Sequence, residues 1–309
     1  MSTGRAEMRV LFAAPDHLWD DWSSAMGQVA PEVTLVREGA PDSIDAILFA
    51  PGGEIEDLSP YVNARLVQSM WAGVERIVTN PTLTQPLARM VDPSLTQSMA
   101  EYCTGWTMRA HLGMDIYRQD GTWRNGTVPP LASDRPVTIL GLGELGRAVG
   151  RMLSGIGFSV RGVSRAGRDA PGVEGIALDR LHDALASAQV LISLLPDTEG
   201  TRNLLNARAL SLLPRGAWII NPGRGTVIDH EALIAALDDG HIGHAVLDVF
   251  RTEPLPEDHP FWSHPKVTVT PHIAAETRAE TAAVIVAENL RRAMAGEPIH
   301  NLVDRQRGY

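Results

Sequence analysis

Only one of the 309 residues, Cys103, is a cysteine, which excludes an internal disulfide framework and fits a reducing cytosol. Cys103 stands in a helical-looking stretch, so it reads as a small buried hydrophobe rather than a nucleophile. No apolar run approaches the ~20 residues that a membrane-spanning helix requires. No basic segment followed by an apolar one opens the chain, so a cytoplasmic protein without export signal or membrane partner is expected. Positive charge is in deficit. The 27 Lys and Arg face 37 Asp and Glu, and the formal net charge of -10 argues against nucleic acid as a partner. There is no G-x-S-x-G nucleophile elbow. His241 and His244 lack the carboxylate or Cys grouping that would complete a metal site, so no metal is expected. What remains is ordinary: 44% hydrophobic and 21% charged residues, in a chain long enough for two domains.

The chain is organised around Val137 to Arg147, V-T-I-L-G-L-G-E-L-G-R. Val137 to Leu140 reads as a buried parallel strand, and an amphipathic helical pattern runs from Glu144 to about Ile156. Gly141, Gly143 and Gly146 thus form G-x-G-x-x-G between a strand and a helix, the context that gives this motif meaning. The first glycine permits a tight turn, the second admits a pyrophosphate, and the third lets the helix pack on its strand. The N–H groups opening the helix, at Glu144 and Leu145, then face the phosphates. This is the pattern of a dinucleotide site.

Elsewhere short strands alternate with helical segments, which predicts an α/β protein with parallel sheets. Strands are expected at Met8–Ala14, Ile44–Ala50, Arg65–Met70, Phe158–Val163, Gln189–Leu195, Ala217–Asn221, His244–Phe250 and Lys266–Thr270. Ser94 and Gln97 suggest a capping box opening a long helix to about Arg118, the bridge into a second domain. Further helices are expected at Asp229–Asp239 and Ala275–Ala295, the last long enough to return to the first domain. The segment Gln119–Arg135 is too broken by Gly and Pro for regular structure and is a candidate for reaching a partner subunit.

In open parallel sheets ligands bind beyond the carboxyl ends of the strands, so the polar residues that follow each strand are the candidates. After Val163 stand Ser164, Arg165 and Arg168, where an NAD site carries an acid for the ribose hydroxyl. With that acid missing and two guanidinium groups in place, NADP is favoured over NAD. After Asn221 comes Pro222-Gly223-Arg224-Gly225, after Phe250 comes Glu253, and after Thr270 comes His272. An arginine, a carboxylate and a histidine at adjacent strand ends suit reduction of a 2-oxo acid. Arg224 would hold the carboxylate and polarise the carbonyl. His272 would donate the proton as hydride arrives, with Glu253 orienting the ring and favouring its protonated form. Trp71 and Trp123, the tryptophans on predicted loops, are candidates for a substrate wall.

These motifs resemble the D-isomer-specific 2-hydroxyacid dehydrogenase family, and within it the members that reduce glyoxylate and hydroxypyruvate. The resemblance rests on Ala72-Gly-Val74, Met99-Ala-Glu-Tyr102, the glycine-rich turn, Leu194-Leu-Pro-Asp-Thr198 and Asn221-Pro-Gly-Arg-Gly225. It continues through Leu247-Asp-Val-Phe250, Glu253-Pro-Leu-Pro256, Thr270-Pro-His-Ile273 and Val303-Asp-Arg-Gln-Arg-Gly-Tyr309. It implies two Rossmann-like or flavodoxin-like domains, with the coenzyme domain inserted into the substrate domain. Their expected extents are residues 1–101 with 274–309 for substrate and 102–273 for the dinucleotide. It implies Arg224, Glu253 and His272 as the catalytic trio, and Gly73 and Val74 N–H groups on the substrate carboxylate. It further implies Asp248 on the nicotinamide carboxamide, and Leu195, Pro196 and Pro222 beside the cofactor. A homodimer is implied too, with Trp123 a candidate for the partner's active site. Two features depart from the family pattern: Pro222-Gly223 replaces a small aliphatic pair, and Trp71 replaces a small residue, which bears on substrate size.

The leading expectation is an NADP(H)-dependent, secondarily NAD(H)-dependent, reductase of glyoxylate, hydroxypyruvate or a similar small 2-oxo acid. A bulkier or phosphorylated 2-oxo acid is the alternative within enzymes. A dinucleotide-sensing, corepressor-like binding module is the alternative outside them. The intact trio favours an enzyme.

Overall fold

The computed structural model describes residues 7–117, 121–123 and 128–305, and the chain divides into two compact units. The first unit comprises Met1–Leu95 with Thr277–Tyr309, and the second comprises Thr96–Glu276. The first unit opens with β1 (Met8–Ala13), α1 (Trp19–Val29), β2 (Val33–Val36), β3 (Ala46–Phe49) and β4 (Val67–Ser69). The four-residue α2 (Glu75–Val78) and two-residue β5 (Leu87–Ala88) follow. The strands form one parallel sheet in the order β2-β1-β3-β4-β5. Successive residues of β1 serve opposite faces: Val10 and Phe12 join one buried cluster, Leu11 and Ala13 the other. A strand apolar on both faces belongs in a parallel sheet covered on both sides.

Helix α3 (Pro93–Leu112) spans the division between the units. Its opening corrects the expected capping box. The Asp92 carboxylate, not Ser94, is the cap: Oδ1 accepts the Ser94 N–H at 3.2 Å and Oδ2 the Ser94 hydroxyl at 2.5 Å. Pro93 then occupies the first helical position, where its missing N–H costs nothing. Gln97 turns instead to Glu101. The helix stops at Leu112, because Gly113 takes a left-handed conformation at φ 60°. The expected end at Arg118 lies outside the described residues.

The second unit contains β6 (Val137–Leu140), α4 (Glu144–Ile156), β7 (Val160–Ser164), β8 (Glu174–Ala177), α5 (Leu181–Leu185) and β9 (Val190–Ser193). It continues with α6 (Ala207–Ser211), β10 (Ala217–Asn221), α7 (His230–Asp238), β11 (Ile242–Leu247) and β12 (Val267–Val269). All seven strands are parallel, in the order β12-β11-β10-β9-β6-β7-β8. The order reverses between β6 and β9, and such a reversal opens a crevice at the carboxyl ends of the two strands. Here too one strand serves both faces, Leu140 in one cluster and Val137 and Ile139 in the other. Cys103 is fully buried in the second of these clusters.

Finally α8 (Ala279–Ala295) returns the chain to the first unit, where it packs beside α1. It begins later than the expected Ala275, because the backbone is still extended at Arg278, which caps the helix at φ -94° and ψ 124°. Among the described residues no helix is long and apolar enough to cross a membrane.

Two glycines of α4 carry opposite expectations. A Cβ on Gly146 would stand 1.9 Å from the Gly141 carbonyl oxygen, whereas one on Gly155 would meet nothing within 4 Å. Gly146→Ala should therefore lower the unfolding free energy by about 1–3 kcal/mol. Gly155→Ala should raise it by about 0.5–1 kcal/mol through helix propensity. Urea denaturation of the two variants checks both signs.

Candidate active site

The glycine-rich turn sits at the reversal of strand order. Gly141 leaves β6 at φ 100°, and a Cβ there would press on the Leu194 carbonyl oxygen at 3.0 Å. Gly143 caps α4 without any side-chain hydrogen bond, and a Cβ on it would meet nothing within 4 Å. The first-turn N–H groups of α4, from Glu144 to Gly146, thus have no side-chain cap and an open approach beside them. This is the cradle that a pyrophosphate fits. Leu195 and Pro196, half-buried, follow β9 across the same reversal, and the Pro196 carbonyl is fixed by the Thr201 hydroxyl at 2.6 Å.

Ser164 ends β7, and the chain turns at once, with Ser164 Oγ accepting the Gly167 N–H at 3.1 Å. The turn presents Arg165 and Arg168, both exposed, at the carboxyl edge of the sheet.

Arg224 lies half-buried beyond β10, between two glycines that the backbone demands. A Cβ on Gly223 would stand 2.7 Å from the Ser193 carbonyl oxygen, and one on Gly225 2.1 Å from the Phe250 carbonyl carbon. The loop is pressed between the ends of β9 and β11, which explains Gly223 in this chain. Asn221 fixes it from below, donating to the Arg224 carbonyl at 3.1 Å and accepting the Gly223 N–H at 3.3 Å. Pro222 is buried within the loop.

Glu253 and His272 meet. Nδ1 of His272 lies 2.8 Å from Glu253 Oε2, while Glu253 Oε1 accepts the Phe250 N–H at 2.8 Å. The Glu253 hydrogen bond holds the His272 pKa above the ordinary histidine value, although desolvation and the Arg224 charge oppose it. Burial pushes the Glu253 carboxyl up. The His272 and Phe250 hydrogen bonds, with the charges of His272 and Arg224, outweigh that and leave it below the usual range. Arg224, Glu253 and His272 therefore share one electrostatic neighbourhood. The His272 side chain remains 52% exposed, and the Nδ1 contact is its one side-chain hydrogen bond among the described residues.

Asp248, directly after β11, is fully buried. Its Oδ1 accepts the Thr270 hydroxyl at 2.6 Å and the Ile273 N–H at 3.0 Å, and its Oδ2 accepts the Ala274 N–H at 2.9 Å. Thr270 and Tyr102, whose oxygens lie 2.6 Å apart, were not singled out as site residues from the sequence. Both fall within motifs that carried the family resemblance, which is the signal that marks them.

Trp71, Gly73 and Val74 belong to the first unit, in the bend between β4 and α2. Trp71 is exposed and Val74 buried, and the Trp71 N–H and carbonyl both bond the Ser69 hydroxyl. Trp123 is 90% exposed. Within Gln119–Arg135, residues 119–120 and 124–127 lie outside the described residues, as do the last four residues of the terminal motif. Among the described residues no group of three or more His, Cys, Asp or Glu is placed to hold a metal ion.

The chain is similar to known proteins over nearly its whole length. The NAD binding domain of D-isomer specific 2-hydroxyacid dehydrogenases matches residues 106–274. Glyoxylate/hydroxypyruvate reductase A of Serratia proteamaculans is 35% identical over 317 residues, covering 98% of this chain and 100% of that protein. The crystal structure of a D-isomer specific 2-hydroxyacid dehydrogenase from Xanthobacter autotrophicus Py2, in complex with NADPH and MES, superposes with a TM-score of 0.92 at 37% identity, covering 99% of this chain and 100% of that one. An NADPH-dependent glyoxylate/hydroxypyruvate reductase from Sinorhizobium meliloti, in complex with NADP and sulfate, gives 0.88 at 32% identity, over 98% of this chain and 100% of that one. The chain belongs to the D-isomer specific 2-hydroxyacid dehydrogenase family, whose members are oxidoreductases built on two α/β units.

Proposed function

We propose that the protein reduces a small 2-oxo acid, glyoxylate or hydroxypyruvate, to the D-2-hydroxy acid, with NADPH as reductant. The observation that carries this reading is the His272–Glu253 pair at 2.8 Å, with the second ring nitrogen of His272 making no hydrogen bond among the described residues. An imidazolium held at Nδ1 presents an Nε2–H that suits protonation of a carbonyl oxygen. Glu253 fixes the ring orientation and holds the charged form. Arg224, charged and half-buried beside them, binds the substrate carboxylate and polarises its carbonyl. Bound NADPH supplies the hydride. Gly141, Gly143, the N–H groups of Glu144, Leu145 and Gly146, and the backbone around Leu195, Pro196 and Pro222 would hold it. Ser164, Arg165 and Arg168 take its 2′-phosphate. The same reading gives Gly73 and Val74 N–H groups to the substrate carboxylate, and gives Trp71 the limit on substrate size. The NADPH and NADP bound to the Xanthobacter and Sinorhizobium relatives support the cofactor, and the Serratia and Sinorhizobium reductases support the substrate class.

Three outcomes test this. With glyoxylate, nicotinamide absorbance should fall rapidly with NADPH and slowly with NADH; no oxidation of either, with any small 2-oxo acid, would end the reductase reading. Replacing both Arg165 and Arg168 by Ala should weaken NADPH binding about tenfold or more, the scale of a lost charge-assisted contact, and leave NADH binding unchanged. Equal weakening of both cofactors removes the phosphate assignment. Reduction needs protonated His272, so its rate should fall as pH rises through the raised His272 pKa. In Glu253→Gln that falling limb should move to lower pH, because the partner charge that raised the pKa is gone. An unmoved limb in the kcat/KM profile would detach Glu253 from His272.

A further inference from the structure

The segment that carries His272 is wound round one buried carboxylate. Asp248 takes donors from Thr270, Ile273 and Ala274, on both sides of His272 in sequence, while the Asp248 carbonyl accepts the His272 N–H at 2.9 Å. His272 itself sits at φ 56°, a left-handed conformation that a non-glycine residue disfavours and that persists only where its surroundings impose it. The polarity of the side-chain contacts follows from chemistry. A carboxylate only accepts, so the single Thr270 hydroxyl proton goes to Asp248, and the Tyr102 hydroxyl must donate to Thr270. Tyr102 projects from α3, its ring edge-on to Trp106 at 6.1 Å, and burial pushes its phenol pKa up, so that it stays a donor.

We infer that Tyr102 and Thr270 are positioning residues: acting through Asp248, they hold His272 in the backbone conformation from which its ring meets Glu253. The inference rests on the reading of His272 as the proton donor. It also gives Asp248 a different task from the one the family resemblance implied. With three donors on its carboxylate, one acceptor site is left for any cofactor amide, and the larger share of its bonding is spent on the loop.

The test uses the full-length protein with NADPH and glyoxylate, and the variants Thr270→Val, Thr270→Ser and Tyr102→Phe. Thr270→Val should lower kcat about tenfold or more, the scale of a slightly misplaced reacting group, with NADPH affinity unchanged. Thr270→Ser, which keeps the hydroxyl, should restore it. Adding Tyr102→Phe to Thr270→Val should cost nothing further, because the chain is already cut. Independently of turnover, an NMR titration of the His272 ring should show its pKa falling toward the ordinary value in Thr270→Val as the Glu253 contact loosens. If the wild-type protein reduces no 2-oxo acid, the functional reading fails, while the titration still decides the positioning. Wild-type kcat and titration in a folded Thr270→Val overturn the inference, and so does a loss of NADPH affinity in step with kcat. Should that variant not fold, Tyr102→Phe decides: reduced kcat with a shifted His272 titration supports the inference, and wild-type values in both overturn it.

Discussion

The carboxyl edge of the second unit's sheet depends on the burial of one charge. A carboxylate removed from water is tolerated only where hydrogen-bond donors replace its hydration. At Asp248 all three donors come from the single segment Thr270–Ala274. The sheet decides that this carboxylate is buried, since the Asp248 N–H still bonds the Asn221 carbonyl at 3.1 Å as β10 and β11 end side by side. The segment following β12 folds so that this buried charge is satisfied. That arrangement puts His272 in a conformation its residue type disfavours. Stability at one residue is given up for the fixed direction of a ring, and the buried carboxylate supplies the difference.

A second constraint fixes Arg224. The spacing of glycines in Gly223-Arg224-Gly225 suggests a side chain cleared of bulky neighbours. The reason in the fold lies in the main chain: the loop passes so close to Ser193 on one side and Phe250 on the other that no Cβ fits at either glycine. The arginine is thereby tied to the ends of β9 and β11, the second of which leads directly into Asp248 and Glu253. One backbone packing requirement thus brings a guanidinium, a carboxylate and an imidazole into electrical contact from three separate connections.

Several strongly patterned elements were legible in the sequence, although the eleven-residue α1 was not read from it. Helix α4 and strand β10 take the extents that periodicity and flanking residues indicate, because each is bounded by glycine, proline or a sharp change of polarity. The parallel α/β architecture was legible for the same reason. Strands β2, β5 and β8 and helices α5 and α6 were not, since two to five residues hold too little of a period to read. The opening of α3 misled because Ser94 and Asp92 are both good caps, and tertiary contact chose the aspartate, which also takes the Thr281 hydroxyl at 2.7 Å. At the candidate site, Arg224, Glu253 and His272 were singled out from the sequence because they follow strands. Thr270 and Tyr102 were not singled out, although both lie in family motifs, because the contact between their hydroxyls arises from a register between α3 and the end of β12 that only the folded chain creates.

The His272–Glu253 pair shows why a site of this kind is held by buried groups rather than by its own ion pair. The raised His272 pKa contributes stability below the ordinary histidine pKa and loses it as pH rises through the folded value. The lowered Glu253 pKa contributes above the ordinary carboxyl pKa and loses it as pH falls through the folded value. The pair is fully charged only between those two limits. Because the imidazole is half-exposed and the carboxylate about a third exposed, solvent screening keeps the energy of the pair small, within ~1 kcal/mol. A pair so weakly coupled to folding can lose and regain a proton without disturbing the backbone that presents it. The backbone is kept in place by groups that do not titrate with it: the N–H groups of Ile273 and Ala274, and the hydroxyls of Thr270 and Tyr102.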